Sequence, residues 1–309
     1  MKWLSLRIPG LRPRSEEGLG GRALVVSTPR SGNTWLRQML AKVYGLHSSR
    51  NEELAAHTPE GFPWQELPRR CVLQLHWEPD EPFTRLLREH GVRTITLARH
   101  PLDVLISILQ YSQHDEDTAF WLRGEGGDET IIRGASPCSE AFLAYATSRR
   151  ASKLLSVSVD WWQTRLSLNL RYEDLVHTPH KTLARLTRRL GRVSHGVLSR
   201  AIEACTMGRL RTPENAPHFW QGKPGLWKKL LTAEAARRIA AAQPRSFEQL
   251  CYRCDPDPGL TREQADANWD TLAGTMLPPK RRSAFGWETA RRSMRSGDTK
   301  FLGHHTELN

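Results

Sequence analysis

The chain has 309 residues, 39% of them hydrophobic, which suits a globular protein able to bury the core of one large or two ordinary domains. Its net charge of +12 at pH 7 favours anionic partners, whether small ligands, nucleic acid or acidic membrane surfaces, without choosing among them. The sequence argues against a membrane span, because no apolar run approaches the ~18 residues required, against a secretory signal, because "MKWLSLRIPGLRPRSEEGLG" holds no unbroken apolar block, and against a disulfide framework, because the five cysteines are scattered and odd in number; a cytoplasmic protein is the default reading.

The first predicted strand is "ALVVS" from Ala23, followed by the polar turn "TPRSGNT" and a helix over Thr34–Val43. Gly32 permits close backbone approach, the amides opening the helix are unpaired donors at the positive end of its dipole, and Arg30 adds a fixed cation, so the turn suits an anion. It is not the P-loop of nucleoside triphosphatases, which needs two glycines with four residues between them and then Lys and Ser or Thr. Further buried parallel strands are predicted at "CVLQL" from Cys71, "RTITLA" from Arg93 and "LNLRY" from Leu168, with helices over Leu102–Tyr111, Ser139–Lys153, Pro179–Leu190 and Ala233–Ala242. This alternation predicts an α/β, three-layer domain with a central parallel sheet, whose ligands bind at the carboxyl ends of the strands, where the turn sits.

Three later stretches carry candidate chemistry. In "TLARHPLDVLIS" a strand ends at Arg99, a helix opens at Pro101, and Ser107 lies two turns along it, so the guanidinium and the hydroxyl can grip one phosphate. In "VDWWQTRLSLNLRYEDL" Trp161 and Trp162 read as core aromatics of a helix, and the strand after them delivers Tyr172, Glu173 and Asp174; Tyr172 reads either as core or as a flat surface for a purine base. In "FWQGKPGLWKKLLT" Gly222 and Gly225 bracket Lys223, which suits closure over a phosphate or a plain basic turn. Residues 115–137 read as a glycine-rich loop or lid. Cys251 and Cys254 form a C-x-x-C with no second pair and no His at ligand spacing, so no metal is expected. The compact domain is predicted over 1–277 and a basic, weakly ordered tail over 278–309.

Taken in order, "TPRSGNTWL", "ARHPLDVLIS", "WW" then "RYEDL", and "GKPGLWKKLLT" resemble the soluble sulfotransferases that use 3′-phosphoadenosine 5′-phosphosulfate (PAPS), a resemblance spanning Val25 to about Thr232. It implies a sulfotransferase fold with a P-loop-like phosphate-binding loop. By it, Arg30, Ser31, Gly32, Asn33 and Thr34 cradle the 5′-phosphosulfate of PAPS, Trp35 lies against the adenine, Arg99 and Ser107 hold the 3′-phosphate, and Tyr172 contacts the adenine. It places the general base at His76 in "VLQLHWEP", with Glu78 as the rival because related Golgi enzymes use a glutamate.

Four departures from the family pattern matter. Arg30 stands where many relatives have Lys, which keeps the charge on the departing phosphate but gives up ready proton donation. Gln74 stands where many have a lysine near the transferring group. Trp220 and Gln221 replace an Arg-Lys pair before Gly222, so Lys223 is expected to reach the 3′-phosphate instead. The segment by which animal relatives dimerise has no match, which leaves the oligomeric state open. The acceptor, a small molecule or a glycan, is left to loops over 51–64, 115–137 and 209–218, with no nucleic-acid partner expected. The competing readings are a P-loop kinase of small molecules and a non-catalytic basic nucleic-acid-binding protein.

Overall fold

The computed structural model describes residues 19–49, 58–114, 118, 121–124, 127, 129–212 and 219–274. Five strands, β1 (Arg22–Val26), β2 (His47–Ser48), β3 (Cys71–Leu75), β4 (Val92–Ala98) and β5 (Ser167–Arg171), form one sheet in the order β2-β3-β1-β4-β5, every pair parallel. The four predicted strands are there to within a residue at either end, and the two-residue edge strand β2 is new.

Burial explains the apolar runs. Successive side chains of a strand point to opposite faces, so Leu24 and Val26 of β1 join one apolar cluster with Leu73 and Leu75 of β3, while Ala23 and Val25 join another with Val72, Ile95 and Leu170. Each face is covered by helices, so β1 and β3 are largely apolar on both faces, while the edge strand β5 alternates Leu168 and Leu170 with Ser167, Asn169 and Arg171. On one side lie α1 (Asn33–Tyr44), α7 (Pro179–Leu190) and α8 (His195–Ala204), through Leu36, Met39, Leu183, Leu186 and Leu198. On the other lie α2 (Glu81–Glu89), α3 (Pro101–Ser112), α5 (Arg149–Gln163) and α11 (Ala233–Ala242), through Phe83, Leu105, Leu154, Trp161 and Ile239.

One long helix was predicted over Ser139–Lys153. It is two, α4 (Glu140–Ala146) and α5, because Ser148 leaves the helical conformation and its hydroxyl accepts from Ala151 N–H as the cap of the second. Short helices α6 (Tyr172–His177), α9 (Met207–Leu210), α10 (Trp227–Leu230) and α12 (Pro244–Gln249), and the longer α13 (Arg262–Gly274), complete the described chain. The expected tail over 278–309, and parts of each loop expected to choose the acceptor (51–57, 115–117, 119–120, 125–126, 128 and 213–218), lie outside the described residues. Among the described residues no helix is long and apolar enough to cross a membrane.

Of the two tryptophans near the end of α5, Trp161 is the core residue. It is fully buried, sets its ring edge-on to Phe83 at 5.9 Å and donates its Nε1–H to the Trp77 carbonyl at 2.7 Å. Trp162 is half-buried beneath the Arg171 guanidinium. Trp161→Ala is expected to lower the unfolding free energy by about 3–5 kcal/mol, read as a fall in the urea midpoint, and Trp162→Ala by clearly less.

Candidate active site

Four neighbouring strands end in one place. Reading β3, β1, β4, β5 across the sheet, the residues that follow them are His76, the turn Ser27–Gly32, Arg99 and Tyr172. A single cavity is lined by Arg30, Gly32, Asn33, Thr34, Trp35, Gln74, His76, Arg99, Ser107 and Tyr172 together with Tyr111, Trp121, Met207, Phe219, Trp220, Gln221 and Gly222. This is the carboxyl edge of an open parallel sheet, with β1 at the point where the strand order reverses.

The turn is held from within. Ser27 Oγ accepts from Leu97 N–H at 3.0 Å and donates to Asn33 Oδ1 at 2.7 Å, while Asn33 Nδ2 donates to the Thr28 carbonyl at 3.0 Å. Thr28 N–H reaches Ser158 Oγ at 2.8 Å, so α5 staples the turn from behind. The Asn33 side chain is therefore spent on the turn itself, and its backbone amide is what faces the helix mouth. Arg30 and Gly32 both adopt positive φ, 67° and 99°. A Cβ on Gly32 would lie 2.6 Å from Cδ2 of Tyr172, so the ring of the residue that follows β5 fits only against glycine. Gly32 caps α1 with no side-chain hydrogen bond, which leaves the first-turn amides to a ligand.

Charge surrounds this mouth. Arg30 donates through Nε to Ser107 Oγ at 3.2 Å and lies over the Tyr111 ring at 4.6 Å. Arg99 donates to the Arg30 carbonyl at 3.0 Å and lies over the Tyr172 ring, also at 4.6 Å. Among the buried donor atoms that lack a hydrogen-bond partner in the described residues, two are at this mouth: Ser31 Oγ and Arg99 Nε. Buried polar groups are ordinarily satisfied, so both mark a place for an oxyanion. Trp35 meets Tyr172 edge-on at 6.0 Å and donates to the Cys205 carbonyl. Lys223 is exposed and outside the cavity lining, whereas Gly222 beside it is in the lining and accepts from the Tyr172 hydroxyl at 2.9 Å.

His76 is buried and donates through Nδ1 to the Ser27 carbonyl at 2.8 Å, since that oxygen can only accept. Burial pushes its pKa down to about 4; the Ser27 carbonyl opposes this and the Arg30 cation adds to it. The imidazole is therefore neutral, with Nε2 bare. Trp121 sits edge-on to it at 6.5 Å and stacks on Tyr111. Glu78 is half-buried and is not part of the lining.

Two carboxylates that sequence reasoning left without a role hold the site together. Asp103, in the first turn of α3, accepts from Gly225 N–H at 2.6 Å and Trp227 N–H at 3.1 Å, fixing the glycine segment across the cavity. Glu173 accepts from His100 N–H at 2.9 Å and from the Tyr252 hydroxyl at 2.7 Å, bracing the backbone next to Arg99.

Residues 21–249 match the sulfotransferase domain, and the chain belongs to that family. It is 22% identical over 271 residues to sulfotransferase 1A1 of Rattus norvegicus, covering 75% of this chain and 87% of that protein. Its fold is similar to mouse sulfotransferase SULT7A1, solved in complex with PAP (TM-score 0.54, 16% identity, 77% of this chain and 93% of that one). It is also similar to retinol dehydratase in complex with retinol and PAP (TM-score 0.53, 14% identity, 74% and 81%).

The His76 environment has a consequence for stability. A base whose pKa is lower folded than unfolded binds protons more readily in the unfolded chain, so its contribution is complete above about pH 6.5 and is lost as pH falls toward about 4. The loss over that window is about 3 kcal/mol. Urea midpoints measured from pH 7 to pH 4 are expected to fall more steeply for the wild type than for His76→Asn.

Proposed function

We propose that the protein moves a sulfuryl group from PAPS to a hydroxyl-bearing small-molecule or glycan acceptor, with His76 as the general base. The observation that carries this is the convergence of a base, an anion-receiving turn, a second cation and an aromatic ring on one cavity from four adjacent strand ends. The residues fit a donor that is anionic at both ends of its ribose. The open amides of α1, Ser31 Oγ and Thr34 would take the 5′-phosphosulfate, while Arg99 and Ser107 would take the 3′-phosphate. Trp35 would lie against the adenine and Tyr172 would contact it.

His76 Nε2 is the unprotonated nitrogen of a residue that lines the cavity. It takes the acceptor's hydroxyl proton as that oxygen bonds to sulfur, and the bond from sulfur to the bridging oxygen of the donor breaks. Arg30 meets the charge that then gathers on the departing phosphate, where a fixed cation lowers the barrier most. Trp121 and Tyr111 form an aromatic wall beside the base, and the acceptor lies against it.

Calorimetry tests the donor side. Wild type is expected to bind 3′-phosphoadenosine 5′-phosphate (PAP) far more tightly than AMP. A charge-assisted hydrogen bond contributes about 1.5–3 kcal/mol, so Arg99→Ala should cost PAP roughly ten- to a hundredfold while AMP changes little. Equal affinity of wild type for both nucleotides would sink the reading.

Radiolabelled donor with a panel of phenols, alcohols and glycans tests the chemistry. His76→Ala is expected to lose transfer and keep PAP affinity within a few fold. If it keeps normal turnover while Glu78→Gln loses it, the base is Glu78.

A further inference from the structure

Gln74 and His76 lie two residues apart at the end of β3, so their side chains leave the strand on the same face, and both line the cavity. The Gln74 carboxamide touches two groups. Its Oε1 accepts from the Thr34 hydroxyl at 3.1 Å, and its Nε2 lies 3.4 Å from His76 Nε2.

The proton positions follow from the far end of this chain of contacts. The Ser27 carbonyl can only accept, so His76 carries its hydrogen on Nδ1, and its bare Nε2 can only accept, from Gln74 N–H. The carboxamide therefore presents its oxygen to Thr34, which donates its one hydroxyl proton there. Thr34 is also in the first turn of α1, at the mouth that faces the anion. An oxyanion can only accept. The same proton cannot serve both.

We propose that Gln74 is a positioning residue that couples the two substrates: in the empty site its carboxamide, clamped by Thr34, covers the lone pair of His76, and an anion on the turn takes the Thr34 proton, unclamps the carboxamide and opens the base to the acceptor hydroxyl. Resting on the donor reading above, this makes the acceptor productive only after the donor has arrived. A lysine, frequent here in relatives, could not do it, because it has no acceptor atom for Thr34. The Gln74–His76 contact is 3.4 Å long, at the weak end of hydrogen bonding, so once the Thr34 clamp is lost it does not hold the carboxamide over the base.

The test is nitrogen NMR of histidine-labelled protein with and without PAP, beside calorimetry. In wild type, PAP should move the His76 Nε2 resonance toward that of an unbonded imidazole nitrogen. Gln74→Leu, and Gln74→Met as a second variant should the first fold poorly, should show the unbonded value before PAP is added and no further move after it. Because no Thr34 bond has then to be broken, PAP should bind these variants roughly two- to tenfold more tightly than wild type; loss of a merely structural side chain would weaken it. Identical His76 resonances in wild type and variants without PAP, or PAP binding to wild type that leaves the resonance in place, overturns the coupling alone. Failure of PAP to bind wild type overturns the donor reading and the coupling with it.

Discussion

The structure depends on a turn whose backbone is bent against its preference so that a helix can begin with its amides uncovered. Arg30 is held at positive φ without the freedom of glycine, at a cost of about 1–2 kcal/mol. Ser27, Asn33, Ser158 and the Arg99 guanidinium close round the turn and offset that strain with hydrogen bonds. Tyr172 presses on Gly32, where a Cβ would collide with its ring. The groups that grip the turn come from β4, from α5 and from the residues that follow β4 and β5, so the sheet order and the anion mouth are set together. A parallel sheet buried on both faces gives the rigidity it requires.

Much of this was legible in the sequence, and the reason is locality. Strands buried on both faces carry short runs rich in branched and apolar residues, as "CVLQL" and "RTITLA" do. The two-residue β2 has too little sequence to carry a signal, and the break before α5 is hard to see because it holds no Gly or Pro, only the polar run Thr147–Arg150 between two apolar helical stretches. The site residues next to strand ends could be found for the same local reason. Asp103 could not: an acid in the first turn of a helix already has a sufficient explanation in the dipole, and its partners Gly225 and Trp227 are 122 and 124 residues away. Glu173 was visible at the end of its strand, yet nothing near it in sequence announces His100 or Tyr252, at separations of 73 and 79. Lys223 is the opposite case. The glycines on either side suggested reach, and the chain points the ammonium to solvent.

The cavity lining is sparing in cations. Gln74 and Gln221 both line the cavity where the family resemblance leads one to expect charge, and Arg30 and Arg99 carry the fixed positive charge of the lining. Both arginines lie over tyrosine rings, whose faces favour cations and limit rotation of the guanidinium. A smaller number of immobile cations can serve in place of a larger number of mobile ones, because an ammonium on a flexible stem must be ordered before it acts.

The double grip of Asp103 on Gly225 and Trp227 ties two distant parts of the chain together. Helix α10 has four residues, too short to hold its shape unaided, and it is anchored by a carboxylate on α3, the helix that also bears Ser107. The wall of the cavity at Gly222 and the floor at Ser107 are thus joined through an aspartate that is not itself in the lining, so a change at Asp103 reaches both at once.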